Sequence, residues 1–433
     1  MKRTRPGEYG AERMVLGLED VEFLPEPEEP RMLSAIDPEA PGYPAEDYGL
    51  PSDLDPGGWK EADAARPARP PLILPWGLWI IIILLAVLLV TQNMLTSYIE
   101  ELIPNSEWAY EETGIRDLNS IGLTGAGVRV CLVDTGIDMS HPDLAGVNLV
   151  AFRDFVHGTE GDPHDNDATY SHGTMMTGIL AAQGSFTGAA PGIELIVAAA
   201  LGSDGSSGSE NVVADAIEWC WLEQQAHIIS LSLGGKPDFA TELGTRTEQA
   251  VVEALDNGVF VVAAAGNHGG AGQDYPDVSV PANIDDVIAV GAVHRNRTLW
   301  SESSAGATTL ADGSTRSTPD QKPEVVAPGV MIHSTFVSEQ LGATWSRSDG
   351  TSDATVFVTG ALALILERHR GHAALQPAAV GDRAPIDLVK QALAASCDPS
   401  PLMQDEHHLR YGYGVLNATA WLDEIEVRLA AST

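Results

Sequence analysis

The segment VRVCLVDTG, at residues 128–136, decides the fold class of this chain. Its first six residues are apolar apart from Arg129 and rich in β-branched valine, which is typical of a buried β strand. The strand leads directly into Asp134, and Gly136 completes a tight turn. Four later apolar runs are similar, and helix-length segments separate several of them; they lie at 195–200, 228–233, 259–264 and 287–292. Strands that are apolar on both faces and joined by helices predict a parallel sheet in an α/β domain.

Two later segments begin apolar helices with side chains suited to covalent catalysis. The segment SHGT, at 171–174, brings His172 to the start of one helix, and GTSDA, at 350–354, brings Ser352 to the start of another. A serine hydroxyl needs an adjacent base, and imidazole titrates close enough to neutrality to serve. A buried carboxylate such as that of Asp134 would orient the imidazole and stabilise its charged form. Each segment alone also suits a structural turn or cap, but together they predict a catalytic triad.

The segment AAAGN, at 263–267, ends a predicted strand in the side-chain amide of Asn267. An amide N–H can donate to the negative oxygen that forms when a hydroxyl attacks a carbonyl group. The start of the helix that bears Ser352 adds backbone N–H groups and the positive end of the helix dipole. Asn267 is therefore predicted as an oxyanion donor.

These segments resemble those of the subtilisin-like serine peptidases and follow that family's order of Asp, His and Ser along the chain. Further stretches are similar to family segments; they lie at 201–202, 232–235, 287–292, 326–329 and 411–417. The resemblance covers residues 106 to 425. It implies a subtilisin-like parallel sheet flanked by helices, in a serine endopeptidase that needs no cofactor for its chemistry. It assigns the acid, the base, the nucleophile and the oxyanion donor to Asp134, His172, Ser352 and Asn267.

The resemblance also implies that the substrate is a polypeptide bound as an extended strand. Main-chain hydrogen bonds would give affinity, and side-chain pockets would give specificity. The strand would lie between Leu201 and Gly202 on one side and Ser232, Leu233 and Gly234 on the other. Ala264, Ala265 and Gly266 would form the wall of the pocket for the residue that precedes the cut.

The residues after Ser352 depart from the family pattern. The family usually has Met-Ala-Thr-Pro-His-Val at this point, whereas this chain has DATVFV at 353–358. The carboxylate of Asp353 would either oppose the negative charge of the oxyanion or point away from it, and Val356 and Phe357 keep the helix apolar. An active endopeptidase is favoured. The alternative is a catalytically inactive binding module, or a subunit of a membrane complex.

The N-terminal part of the chain differs in composition from the rest. Residues 1–70 are acidic and rich in proline, which predicts a disordered tail. No charged side chain occurs from Pro70 to Ile99, and the stretch LWIIIILLAVLLV at 78–90 is apolar on every helical face. A transmembrane helix is therefore predicted over 71–96. The remaining predicted divisions are a linker over 97–125, the peptidase domain over 126–425 and a C-terminal tail over 426–433.

The charges that flank the predicted span differ in sign. Lys60, Arg66 and Arg69 precede it, whereas glutamates predominate after it, at positions 100, 101, 107, 111 and 112. Basic flanks favour the cytoplasmic side, so the N-terminus is expected in the cytoplasm and the peptidase domain outside it. Residues 71–96 would contact membrane lipid, and the tail over 1–70 is a candidate site for a cytoplasmic partner.

Charge and cysteine content narrow the remaining function classes. The formal net charge of −37 argues against a nucleic-acid partner, whose phosphates would be repelled. Cys131, Cys220 and Cys397 are too few for a disulfide scaffold and too scattered for a paired metal motif, so buried thiols are expected.

Candidate metal ligands do not form a set from which a metal can be named. An acidic loop offers oxygen ligands, so a structural calcium ion stays open, although a solvated surface loop is favoured. The loop residues are Asp162, Asp165, Asn166 and Asp167. Three histidines lack a convincing set of partner ligands; they are His268, His407 and His408.

Overall fold

The computed structural model of the chain describes residues 79–91, 106–202, 210–235, 245–269, 277–307, 309–310, 313–338 and 340–431. The chain divides into two compact units, Met1–Tyr98 and Ile99–Thr433. The described part of the first unit is a helix over 79–91 with exposed aliphatic side chains. Of the helices that the structure describes, none has both the length and the apolar character needed to cross a membrane. The predicted tail over 1–70 and both ends of the predicted span over 71–96 lie outside the described residues.

The described residues of the second unit form ten strands and eight α-helices. In chain order these are α1 (Glu107–Glu112), α2 (Ile115–Ser120), β1 (Arg129–Asp134), β2 (Leu149–Asp154), β3 (Thr159–Glu160), α3 (His172–Ala181), β4 (Glu194–Ala199), α4 (Glu210–Glu218), β5 (Ile228–Leu231), α5 (Arg246–Asp256), β6 (Phe260–Ala264), β7 (Ile288–Val293), β8 (Val325–Pro328), β9 (Val330–Ser338), β10 (Gly342–Asp349), α6 (Thr351–His369), α7 (Ala384–Ser396) and α8 (Ala418–Ala431). A π-helical turn, Trp219–Glu223, follows α4 directly.

Eight strands form one sheet in the order β3-β2-β4-β1-β5-β6-β7-β8. Neighbouring strands are parallel except for β2 and β3. Within β1 every residue after Arg129 is buried, as expected for a strand covered on both faces. The predicted parallel α/β fold is confirmed.

The carboxyl ends of the central strands gather the predicted site segments at one edge of the sheet. Asp134 is the last residue of β1 and lies opposite Ala199 of β4. Residues 232–235 follow β5, and Ala264 ends β6. This edge is where ligands bind in open parallel sheets.

Strands β9 and β10 form a separate antiparallel pair that contacts α3. The hydroxyl groups of Ser334 and Thr335 donate to the carbonyl oxygens of Met175 and Thr174, at 2.6 and 2.7 Å. These bonds hold the first turn of α3 against β9.

The predicted linker over 97–125 contains two helices that pack on the domain. Tyr110 of α1 is buried, and its hydroxyl donates to the carbonyl oxygen of Ile179 in α3 at 3.1 Å. Its ring lies 4.9 Å from that of Phe357 in α6. Tyr110 thus contributes to the hydrophobic core, while the boundary at residue 125 stays a prediction. Helix α8 crosses the predicted boundary at residue 425, since it continues to Ala431 and buries Leu429.

The expectation of three buried thiols is wrong for two of the cysteines. Cys131 of β1 and Cys220, in the turn after α4, form a disulfide. The two residues are 89 positions apart in sequence, so only the packing of the turn against the sheet reveals their proximity. Cys397 is a free thiol.

Helix α3 lies very close to the turn that follows β1, and two glycines make this possible. Gly136 has a φ of 129°, in a region that favours glycine. A Cβ atom on Gly173 would lie 2.1 Å from the carbonyl oxygen of Gly136. Backbone atoms of α3 and of this turn are therefore in direct contact.

We expect Gly173→Ala to lower the free energy of unfolding by about 1–3 kcal/mol, because the added methyl group must displace α3. The loss would occur although alanine is the better helix former. Chemical denaturation of the full chain measures it.

Gly371→Ala is the matched control, since a Cβ atom there would have no heavy atom within 4 Å. Equal stability of the two variants would contradict the close approach of α3 to the β1 turn.

Candidate active site

Asp134 and His172 meet where α3 begins beside the end of β1. The Nδ1 atom of His172 lies 2.7 Å from Oδ1 of Asp134, which also accepts a hydrogen bond from the backbone N–H of Thr135 at 2.7 Å. The carboxylate is completely buried. Ser171, which precedes the helix, has a φ of 49°, an uncommon conformation for a residue other than glycine. The hydroxyl of Ser171 donates to the carbonyl oxygen of Val337, which helps to fix this conformation.

The surroundings of His172 favour its charged form. Burial lowers the pKa of the imidazole, but the charge and hydrogen bond of Asp134, with a contribution from Asp353, raise it to about 9. When the ring is neutral, its Nδ1–H donates to Asp134 and Nε2 carries the free lone pair. His172 can therefore accept a proton at Nε2.

Ser352 lies in the first turn of α6 and lines the same cavity as His172. Its hydroxyl donates to the carbonyl oxygen of Ser232 at 3.1 Å. Catalytic hydrogen bonds often tighten only when substrate is bound, so this orientation is compatible with a nucleophile.

The amide of Asn267 is held in one orientation. Its Oδ1 atom accepts hydrogen bonds from the backbone N–H and the hydroxyl of Thr351, at 3.0 and 2.7 Å. The side-chain NH₂ group is thus directed away from Thr351, and Asn267 lines the cavity with Ser352. Both N–H bonds remain available to an oxygen atom there.

The shared cavity has a volume of about 640 Å³. Of the predicted substrate-binding residues, six line it: Leu201, Ser232, Leu233, Gly234, Ala264 and Gly266. Gly202 and Ala265 are not among the lining residues. Ala265 is fully buried and packs in the hydrophobic core, so its role as a pocket wall stays a prediction.

The cavity also has walls that the sequence did not reveal. They are formed by Thr135, Glu210, Val213, Gly235, Thr245, Thr247, His268, Val280 and Thr351. Glu210 and Val213 belong to α4, whose sequence shows an amphipathic helix but not which residues face the groove. Thr135, Gly235, His268 and Thr351 are direct neighbours of predicted site residues in the sequence, and this adjacency was the available indication.

Asp353 is directed away from the cavity. It is buried, and one of its oxygens accepts a hydrogen bond from the hydroxyl of Ser348 in β10. Burial raises the pKa of this carboxyl group to about 7, although Ser348 and nearby His172 oppose the rise. Of the two predicted orientations, the structure has the one that points away. Val356 and Phe357 are fully buried and keep α6 apolar, as expected.

The acidic loop uses its side chains in hydrogen bonds within the protein. Asp165 accepts from the backbone N–H and the hydroxyl of Thr174, at 2.9 and 2.6 Å. Asp167 accepts from the backbone N–H groups of Thr169 and Tyr170. These contacts join the loop to α3, the helix that begins with His172.

Comparison with known proteins agrees with this geometry. The model of the Subtilase family matches residues 125–414. Subtilisin DY of Bacillus licheniformis is 38% identical over 251 residues, which are 57% of this chain and 80% of that protein. Subtilisin E of Bacillus subtilis (strain 168) is 38% identical over 255 residues, 58% of each chain. The major intracellular serine protease of the same strain is 36% identical over 248 residues, 56% of this chain and 70% of that protein.

The matched region contains β1, α3, the segment that follows β6 and the start of α6, which carry the four predicted site residues. The chain therefore belongs to the subtilase family of serine endopeptidases.

Proposed function

We propose that this chain hydrolyses peptide bonds of polypeptides through Asp134, His172 and Ser352, with Asn267 as an oxyanion donor. The observation that carries this proposal is the single cavity lined by His172, Ser352 and Asn267, with Asp134 hydrogen-bonded to the imidazole from behind. Family membership supports the reaction class.

The proposed reaction begins when the hydroxyl of Ser352 turns from the Ser232 carbonyl toward Nε2 of His172. His172 takes the proton as the serine oxygen attacks the substrate carbonyl carbon, and Asp134 stabilises the imidazolium. The NH₂ group of Asn267 donates to the resulting oxyanion, together with N–H groups at the start of α6. His172 then protonates the leaving amine, and water releases the acyl group in a second step.

The substrate would be an extended segment of polypeptide lying along the cavity. Leu201, which follows β4, and residues 232–234, which follow β5, line the cavity, and β4 and β5 flank β1 on its two sides. Main-chain groups at these positions can pair with the backbone of a strand. Ala264 and Gly266 are small, so the pocket beside them has room for an apolar side chain.

We also propose that residues 71–96 form a membrane anchor, with the N-terminus in the cytoplasm and the peptidase domain outside. The uncharged stretch from Pro70 to Ile99 supports an anchor, as do the exposed aliphatic side chains of the 79–91 helix. The Cys131–Cys220 disulfide supports an oxidising compartment for the domain. The tail over 1–70 would then be available to a cytoplasmic partner.

The proposed nucleophile is tested by treating the purified full-length chain with a serine-directed fluorophosphonate and measuring intact mass. We expect one adduct, because His172 activates Ser352, and no adduct on Ser352→Ala or His172→Ala. Peptide hydrolysis by Ser352→Ala should fall by roughly 10⁴-fold or more.

Thr355→Ser is a suitable control, since it removes a buried methyl group of α6 but keeps the hydroxyl that donates to the carbonyl oxygen of Thr351. An unlabelled wild-type chain with a folded circular dichroism spectrum would argue instead for the inactive binding module.

We expect kcat/KM to rise with pH toward about 9, because His172 is a base only after losing its proton. Asp353→Asn removes a negative charge that favours the imidazolium. It should therefore lower the pKa of His172 and move the ascending limb of the pH profile to lower pH.

Asp405→Asn, at an exposed position, is the control for a change of one charge. A profile that does not move in Asp353→Asn would show that this carboxylate has no electrostatic effect on the base.

The proposed anchor predicts that the full-length chain remains with membranes after an alkaline carbonate wash. A double change, Leu84→Arg with Leu85→Arg, should release it, since an arginine at the centre of a span costs about 2.5–3.5 kcal/mol. Leu84→Val with Leu85→Val keeps the stretch apolar and should stay membrane-bound. Complete release of the unaltered chain would rule out the anchor.

A further inference from the structure

Three potential metal ligands converge beside the end of β2, apart from the triad. Asp154 is the last residue of β2, His157 lies between β2 and β3, and His164 follows β3. One ligand atom from each residue lies within 4.8 Å of the others. We refer to these three residues as the Asp154 cluster.

The spacing within the Asp154 cluster suits a small ion. Oδ2 of Asp154 lies 2.7 Å from Nδ1 of His157 and 3.2 Å from Nε2 of His164. Ligand atoms about 2.0–2.1 Å from a tetrahedral zinc ion are roughly 3.3 Å apart. Modest movement of the His157 ring would complete such an arrangement.

Hydrogen bonds around the Asp154 cluster orient its ligand atoms. The other carboxylate oxygen, Oδ1 of Asp154, accepts from the backbone N–H groups of Val156 and His157 and from the amide of Asn166. Nδ1 of His164 lies 2.7 Å from the carbonyl oxygen of Asp162. Donation from Nδ1–H to that carbonyl leaves the lone pair on Nε2, facing Asp154. Histidines that bind metals commonly have this outer hydrogen bond to a carbonyl oxygen.

We propose that the Asp154 cluster binds one divalent transition-metal ion of the zinc class. Two imidazoles and one carboxylate suit zinc and its first-row neighbours. Calcium prefers six to eight oxygen ligands, and the cluster offers one carboxylate oxygen with two nitrogens. The side chain of His157 is 63% exposed, so water can reach the ion and complete its coordination.

The ion would join the segments before and after β3, and the second of these contacts the catalytic elements. The carbonyl oxygen of His164 accepts from the backbone N–H of Ile137, and the N–H of Asn166 donates to the carbonyl oxygen of Thr135. Asp165, which precedes Asn166, accepts hydrogen bonds from the backbone N–H and the hydroxyl of Thr174 in α3. The metal would thus restrain the segment that supports both the β1 turn and the start of α3, as a structural ion rather than a catalytic one.

The test uses the full-length chain without a polyhistidine tag, stripped with a chelator and then titrated with Zn²⁺ or Co²⁺. We expect one equivalent of Zn²⁺ per chain by elemental analysis, visible d–d absorption bands with Co²⁺, and a higher thermal midpoint with metal than without. Excess Ca²⁺ should displace neither ion. These measurements need no peptidase activity, so they can succeed or fail independently of the proposed function.

His157→Ala and His164→Ala should each weaken binding at least tenfold and abolish the metal-dependent rise in thermal midpoint. His369→Ala is the matched control, because it removes an imidazole of α6 that contacts the carboxylate of Glu426 in α8 at 3.2 Å and is not part of the Asp154 cluster. Absence of a bound equivalent, displacement by Ca²⁺, or equal binding by the wild type and the His157 and His164 variants would overturn the proposal. The three side chains would then form only a hydrogen-bonded group.

Discussion

The site depends on the backbone contact between α3 and the turn after β1. Gly136 and Gly173 have no side chains to separate these elements, so the helix begins against the end of the strand. That closeness brings Nδ1 of His172 within 2.7 Å of the Asp134 carboxylate. If α3 were displaced by the width of a methyl group, this hydrogen bond would be lost. The Asp134 carboxylate would then no longer raise the pKa of the His172 imidazole. The pairing of Asp134 with His172, which are far apart in sequence, therefore depends on a contact between backbone atoms.

Much of the site was predictable because its residues end strands or begin helices. The position of Asp134 after an apolar run, and of His172 and Ser352 before apolar helices, is local information. In a parallel sheet such ends meet at one edge, so local patterns were enough to predict a shared site. The orientation of Asp353 was not predictable in this way. It depends on Ser348, which β10 brings to the start of α6 through a hairpin.

Features that depend on packing between distant segments were missed. The Cys131–Cys220 disulfide requires the turn after α4 to lie against β1, and the two cysteines carry no local motif. The burial of Ala265 depends on which face of the chain turns toward the core just after β6. The Asp154 cluster has no local motif, because its two histidines lie on either side of β3 and converge on Asp154 only in the folded chain.

The position of Tyr110 has a mechanical consequence. Its hydroxyl is bonded to α3, and its ring contacts Phe357 of α6, so one side chain joins the two helices that bear His172 and Ser352. Tension on the chain before Ser106 would act first on α1 and then, through Tyr110, on both helices. A force applied to α1 would therefore reach the helices of the base and the nucleophile through one side chain, without any contact at the substrate groove.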